Sequence, residues 1–137
     1  MTQKVRNNLI LTIAFVGLVV AVTLQHRHVQ QIEAGLADLS VIGQGKPVLL
    51  ELGSDQCKPC KAMMPILSEL SKEYPGQFTV AFHDVWKDPA PGEKYGIQLI
   101  PTQIFLDKDG GELFRHEGFY PKEEILAKWK ELGVEIP

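Results

Sequence analysis

The sequence is poor in the residues from which disulfide frameworks and metal centres are built. It contains two cysteines in 137 residues, and these stand only three positions apart. Neither cysteine is therefore left to form a long-range structural disulfide. The sequence also lacks the second C-x-x-C or the H-x3-H pair that would complete a zinc site. A disulfide-stapled fold is thereby excluded, and we expect neither a bound metal ion nor an organic cofactor.

Positive charge is scarce beyond the N-terminal segment. The formal net charge is -3, and the first acidic residue is Glu33. From residue 25 onward the sequence has 17 acidic residues and 12 basic ones, since Lys4 and Arg6 are the other two of its 14 bases. A surface of that sign repels phosphate backbones, and no Lys/Arg cluster interrupts it. Nucleic acid is therefore not an expected partner.

The composition is typical of a globular chain, with 45% hydrophobic and 23% charged residues. The length suits one domain rather than two. No internal repeat or low-complexity tract divides the sequence. We predict two regions, a membrane anchor or signal segment over residues 1–28 and a folded domain over residues 29–137.

A long uncharged run, from Leu9 to Leu24, lies between Arg6 and Arg27. As a helix it would reach about 24 Å, close to the ~30 Å hydrocarbon layer of a membrane. Because Lys4 and Arg6 precede the run, the positive-inside rule places the N-terminus in the cytoplasm and the domain outside. We therefore predict a transmembrane helix over residues 9–24 that anchors the protein by a single pass in the cytoplasmic membrane. Cleavage of this segment as a signal peptide is the alternative.

Hydrophobic periodicity predicts alternating strands and helices after this segment. Val48–Leu52 is almost wholly apolar, as in a strand buried on both faces, and Cys57 begins a helical pattern that Pro75-Gly76 ends. The other predicted features are a short helix over Val29–Leu39, a helix kink at Pro65, a strand over Phe78–Val85, a crossover with at most a short helix over Lys87–Gly96, a hairpin of Thr102–Leu106 with Glu112–His116, and a helix from Pro121. The predicted fold class is α/β, with a mixed central sheet covered by helices on both faces.

The pair Cys57 and Cys60, at the start of the predicted helix, has the spacing of a redox centre. At a helix N-terminus the first sulfur meets unpaired N–H groups and the positive end of the helix dipole, which favour the thiolate. Lys58 adds a positive charge, and Pro59 restricts the loop at a position where no hydrogen bond is lost. We predict that Cys57 attacks a disulfide and that Cys60, one turn later, resolves the mixed disulfide.

Glu51 is the one charged residue in the apolar run Val48–Leu52. Burial of its carboxyl group should raise its pKa. A proton acceptor beneath Cys60 would help that thiol to ionise, so we predict a general-base role for Glu51. The alternative is an acid near the strand end that reaches solvent or a salt bridge.

Several motifs in the same order resemble the thioredoxin family. They are the stretch Val48 to Lys61, which contains C-x-P-C-K, the segment Tyr95 to Thr102, at whose two ends lie K-Y-G-I and I-P-T, the hairpin and the terminal helix. Together they cover roughly residues 45–133. The resemblance implies a thioredoxin fold, a cis peptide bond at Ile100-Pro101 beside the two sulfurs, and pairing of the Ile100 backbone with a bound substrate strand.

The chain departs from the family pattern around the cysteines. Gln56 and Gly53 match the two active-site tryptophans of the family, and Lys58 matches the glycine between the cysteines. Glu51 matches the buried aspartate of the family, and Phe82 matches the lysine that neighbours that aspartate.

The resemblance implies a thiol-disulfide oxidoreductase that acts on disulfide-containing client proteins. The motif, with Pro59 and Ile100, resembles thioredoxin more than the periplasmic oxidants, so we expect a reductant, for example in cytochrome c maturation, which receives electrons from a membrane thiol carrier. Lys58 stabilises the thiolate and therefore favours the opposite direction. The alternatives are an extracytoplasmic disulfide oxidase or isomerase, and a non-catalytic metal-delivery or substrate-binding module with the same fold.

Overall fold

The N-terminal part of the protein and the rest form two separate compact units. A computed structural model describes residues 3, 12–24, 27 and 36–137, and the units are Met1–Gln31 and Ile32–Pro137. Residues 12–24 are helical with exposed side chains. None of the helices in the described residues combines the length and the apolar character needed to cross a membrane. Lys4, Arg6, residues 9–11 and the predicted boundary between residues 28 and 29 lie outside the described residues.

Over its described residues, 36–137, the C-terminal unit is an α/β domain with four strands and three α-helices. The strands are β1 (Val48–Gly53), β2 (Thr79–Asp84), β3 (Thr102–Leu106) and β4 (Glu112–Glu117), and the helices are α1 (Lys58–Glu73), α2 (Ala90–Tyr95) and α3 (Lys122–Glu131). A single turn of 3-10 helix, Leu39–Val41, precedes β1. The sheet order is β2-β1-β3-β4, with β1 parallel to β2 and the other pairs antiparallel. The predicted mixed sheet and the predicted hairpin are confirmed.

Strand β1 is buried on both faces, as its apolar sequence predicts. Leu49 enters a core with side chains of α1 and α3, whereas Val48, Leu50 and Leu52 enter a second core on the opposite face, where Tyr95 of α2 packs. Because alternate residues of a strand point to opposite faces, Glu51 and Gly53 share the face of Leu49. The prediction of helices on both faces is confirmed, and Glu51 lies on the face covered by α1.

The end of the helix predicted over Val29–Leu39 is wrong. Ala37 forms a parallel bridge to Ala81, in which its N–H donates to the Val80 carbonyl and its carbonyl accepts from the Phe82 N–H. The outer edge of β2 thereby gains partners for its backbone groups, and these hydrogen bonds outweigh the local helical preference. Residues 29–35 lie outside the described residues. Helix α1 continues through Pro65, whose ring is exposed.

Removal of the largest core side chain should destabilise the domain strongly. Trp129 of α3 is fully buried, and its ring centroid lies 4.6 Å from that of Phe105 and 5.1 Å from that of Phe78. We predict that Trp129→Ala lowers the free energy of unfolding by about 3–5 kcal/mol, measured by urea denaturation followed by circular dichroism. Trp86→Ala is the matched control, because this tryptophan is 60% exposed, and its effect should stay within about 0.5 kcal/mol. Equal effects of the two substitutions would contradict the assignment of Trp129 to the core.

Candidate active site

Cys57 lies where the loop after β1 enters α1. It is the N-cap residue of the helix, with extended backbone angles, and Lys58 and Pro59 follow in the first turn. The Lys61 N–H donates to its carbonyl at 3.0 Å, and its own N–H donates to the Ser54 carbonyl at 3.3 Å. Pro59 removes no hydrogen bond, because first-turn N–H groups have no partner within a helix. The side chain of Cys57 therefore lies at the positive end of the helix dipole, as predicted.

The two thiols differ in access to solvent. Cys57 is 8% exposed and Cys60 is 1% exposed, and both are free thiols. Burial, followed by the hydrogen bond with the Cys57 sulfur, raises the pKa of Cys60 to about 12. Lys58 is exposed beside them. Cys57 is thus the more accessible of the two sulfurs, and burial favours the protonated thiol of Cys60.

Asp84, at the end of β2, braces the loop that leads to Cys57. Its carboxylate accepts hydrogen bonds from the Asp55 N–H at 3.1 Å, the Trp86 N–H at 2.9 Å and the Ser54 hydroxyl at 3.3 Å. Burial opposes its ionisation, but the backbone N–H groups outweigh burial and lower the pKa of Asp84. Lys87 extends the brace through a 2.6 Å ion pair with Asp55.

The sequence-based reasoning missed this brace. Asp84 ends the strand that runs parallel to β1, and it pairs in register with Gly53. Neighbouring parallel strands end at the same side of a sheet. This rule could have predicted that Asp84 lies near the loop after β1.

Glu51 is fully buried beneath the cysteines and does not reach solvent. Burial raises its pKa to about 8, although a hydrogen bond from Gln103 lowers it in part. A methyl group built on Gly53 would lie 3.2 Å from Cys60 Sγ and 3.6 Å from Glu51 Oε1. The carboxyl and the buried thiol thus flank the same small space beside Gly53.

Gln103 is the partner of Glu51, and the sequence-based reasoning did not single it out. Its Nε2 donates to Glu51 Oε2 at 2.9 Å, and the residue is fully buried on β3, directly opposite Glu51 in the antiparallel register. The parallel neighbour of Glu51 on the other side is Phe82, which has no polar group to offer. The available signal was a second polar residue in an otherwise apolar strand, since buried polar groups require hydrogen-bond partners.

The bond between Ile100 and Pro101 is cis, as the resemblance implied. Thr102 pairs with Leu52, so Pro101 lies at the end of β1 from which the chain leads to Cys57. The Gly118 N–H donates to the Pro101 carbonyl at 2.7 Å and ties the end of β4 to the same place. Ile100 is partly exposed there, and its pairing with a substrate strand stays a prediction.

Within residues 3, 12–24, 27 and 36–137, no three His, Cys, Asp or Glu side chains converge on a position that could hold a metal ion. His83 contacts Asp88 on the surface, and His116 stacks on Tyr120.

Comparison with known proteins agrees with this geometry. The thioredoxin family model matches residues 30–131. The chain is 35% identical over 100 residues to the chloroplastic M-type thioredoxin of Pisum sativum, a match that covers 73% of this chain and 58% of the pea protein. It is 37% identical over 83 residues to a thioredoxin of Staphylococcus aureus, a match that covers 58% of this chain and 79% of the bacterial protein. The chain therefore spans less than two thirds of the length of the pea relative.

The buried carboxyl of Glu51 should make stability depend on pH. Its pKa is about 8 in the folded protein, against an ordinary value of 4.5 for a solvated glutamate. Below pH 4.5 both states hold the proton. As the pH rises from 4.5 to 8, the unfolded state releases the proton that the folded state keeps, so the free energy of unfolding falls by an amount on the order of 3–5 kcal/mol. We predict that Glu51→Gln abolishes this fall, measured by urea unfolding of the reduced protein at intervals from pH 4 to 8.

The matched control is Glu135→Gln, which removes an exposed acid near the C-terminus and should retain the wild-type pH dependence. A parallel fall in stability in the Glu51→Gln protein would show that other groups carry the effect.

Proposed function

Because the chain belongs to the thioredoxin family, we propose that it is a protein-disulfide oxidoreductase that passes two electrons through Cys57 and Cys60. The observation that carries the proposal is the arrangement at the start of α1. Cys57 lies at the helix N-terminus, Cys60 follows one turn later in a buried position, and the Glu51 carboxyl flanks the same space as the Cys60 sulfur.

The reaction takes two sulfur exchanges. The Cys57 thiolate attacks one sulfur of a client disulfide, which breaks the client S–S bond, forms a mixed disulfide and releases one client thiolate. Cys60 then transfers its proton to Glu51 and attacks Cys57 Sγ, which releases the second client thiolate. The client gains two electrons, and the protein is left with a Cys57–Cys60 disulfide.

Exposed hydrophobic side chains at this end of the sheet support a protein as the client. Trp86 follows β2, Leu99 precedes β3 and Phe119 follows β4, and all three are 47–60% exposed. The register places these three strand ends at the edge where β1 leads to Cys57. An extended client segment there would pair with the backbone of Ile100 and cover the apolar side chains.

The proposed direction is reduction of client disulfides. Pro59 and Ile100 favour this direction by resemblance, whereas the charge of Lys58 favours the reduced form of the protein and therefore oxidation of clients. The proposed clients include proteins of cytochrome c maturation. The proposed reductant of the Cys57–Cys60 disulfide is a membrane thiol carrier.

The proposed location is the outer side of the cytoplasmic membrane. The proposal rests on the uncharged run over residues 9–24 and on the bases Lys4 and Arg6 before it. A domain outside the membrane has no direct access to cytoplasmic reductants, so its electrons would cross through a partner that presents thiols at the outer face.

The exchange reaction separates the roles of the two cysteines. The reduced full chain should reduce a disulfide-bonded protein substrate. Cys57→Ser should lower the rate to that of the uncatalysed exchange, because the attacking sulfur is lost. Cys60→Ser should instead accumulate a mixed disulfide at Cys57 in near-stoichiometric yield, seen by non-reducing electrophoresis and mass spectrometry, because nothing resolves it.

Ser68→Ala, on the α1 surface away from the helix start, serves as the control and should leave the rate unchanged. Trapping through Cys60 in the Cys57→Ser protein would reverse the assignment. Copper binding by the wild-type protein without disulfide reduction would contradict the oxidoreductase proposal and indicate a metal-delivery module.

Membrane topology is tested with the full chain expressed in a bacterium. Protease added to intact spheroplasts should digest a membrane-bound domain, because the bases Lys4 and Arg6 hold the N-terminus inside. The matched control replaces both bases by glutamine and should lower the fraction of the domain that reaches the outer side. Release of a soluble domain would indicate signal cleavage, and protection until the membrane is lysed would place the domain in the cytoplasm.

A further inference from the structure

Four side chains form a row across the sheet on the face covered by α1. The register aligns Phe82 of β2, Glu51 of β1, Gln103 of β3 and His116 of β4 as successive neighbours. Glu51 and Gln103, at the centre of the row, are both fully buried. The row thus places one buried amide directly against the buried carboxyl.

The hydrogen bonding within this pair is incomplete. Gln103 Nε2 donates to Glu51 Oε2 at 2.9 Å, while Glu51 Oε1 and Gln103 Oε1 have no hydrogen-bond partner within the described part of the chain. Glu51 Oε1 is the oxygen that flanks the space beside Gly53, opposite Cys60 Sγ. The oxygen held by Gln103 is therefore not the oxygen that borders the space shared with the buried thiol.

An amide suits a carboxyl group that gains and loses a proton. A carboxylate only accepts hydrogen bonds, whereas a carboxylic acid also donates one. The amide of Gln103 offers an N–H to the carboxylate, and after a half-turn about its last bond it offers a carbonyl to the acid. A lysine would serve only the ionised form, and Phe82 serves neither.

We propose that Gln103 is a positioning residue for Glu51. It holds Oε2 so that Oε1 faces Cys60, and it keeps a hydrogen bond with the carboxyl group in both protonation states. The inference rests on the proposed function, in which Glu51 takes the proton of Cys60. It explains why this chain tolerates a buried acid whose strand neighbour on the other side is a phenylalanine.

Other titratable groups lie near the pair and bear on any measurement against pH. Cys60 of α1 flanks the same space as Glu51, Cys57 lies at the N-cap of that helix, and burial raises the pKa of Cys60 to about 12. His116 is opposite Gln103 on β4, with its ring stacked 3.9 Å from that of Tyr120, measured between centroids. Burial raises the pKa of Tyr120. A pH midpoint must therefore be assigned by substitution.

The test separates the two sulfur exchanges in the full reduced chain with a symmetric aromatic disulfide, 5,5′-dithiobis(2-nitrobenzoate). The first coloured thiolate is released when Cys57 attacks, and the second is released when Cys60 resolves the mixed disulfide. The second rate should rise with pH as Glu51 ionises. We expect Gln103→Leu to shift the midpoint of that rise upward by about one pH unit, which slows the second phase about tenfold near pH 7. The first phase should be unchanged.

A second apolar variant and a double variant keep the test decisive. Gln103→Met, close in shape to glutamine, should give the same shift, and urea unfolding shows whether both variants are folded. Glu51→Gln should remove the midpoint, and Gln103→Leu added to it should have no further effect on the second phase. His116→Asn is the control and should leave the midpoint unchanged.

Each of the other possible outcomes contradicts one specific part of the proposal. An unshifted midpoint in both Gln103 variants would overturn the positioning role, and so would an additive effect in the Glu51→Gln protein. A midpoint that moves in the His116→Asn protein would assign the titration to His116 and overturn it as well. Absence of the second phase in the wild-type protein would instead refute resolution by Cys60, and the inference would fall together with the proposed function.

Discussion

Burial of β1 on both faces is the constraint on which the site depends. Its neighbours β2 and β3 occupy both edges, and its alternate side chains enter two separate cores. The strand therefore has no freedom to slide or tilt without opening one of these cores. Because the chain passes from Gly53 to Cys57 in one short loop, the position of the Cys57 sulfur is fixed by the packing of the sheet.

The same burial gives Glu51 its chemistry. A carboxyl group in this position loses hydration that one amide hydrogen bond does not replace, so its acid form persists near neutral pH. The group that would accept a proton from Cys60 is therefore also a group that opposes folding as the pH rises. In the proposed function, stability and proton transfer therefore depend on the same desolvation.

Local patterns predicted most of the fold and half of the site. The apolar run at Val48–Leu52 and the helical spacing after Cys57 are complete within a few residues, so periodicity finds them. The Ala37 bridge, the Asp84 brace and the Gln103 hydrogen bond each join segments distant in sequence. They depend on which strands are neighbours and in what register, and a single polar residue in a strand does not reveal its partner.

Two buried acids on the neighbouring strands β1 and β2 show how the surroundings of a carboxyl group set its pKa. Burial opposes the ionisation of Asp84, but the backbone N–H groups around it lower its pKa and favour the anion that holds the loop before Cys57. Glu51, two residues before the glycine that pairs with Asp84, meets one amide and apolar side chains, and its pKa rises. Neighbouring carboxyl groups whose pKa values are driven apart by their surroundings are suited to different roles. The ionised acid holds the loop before Cys57, and the acid with the raised pKa flanks the same space as Cys60, where the proposed function requires a proton acceptor.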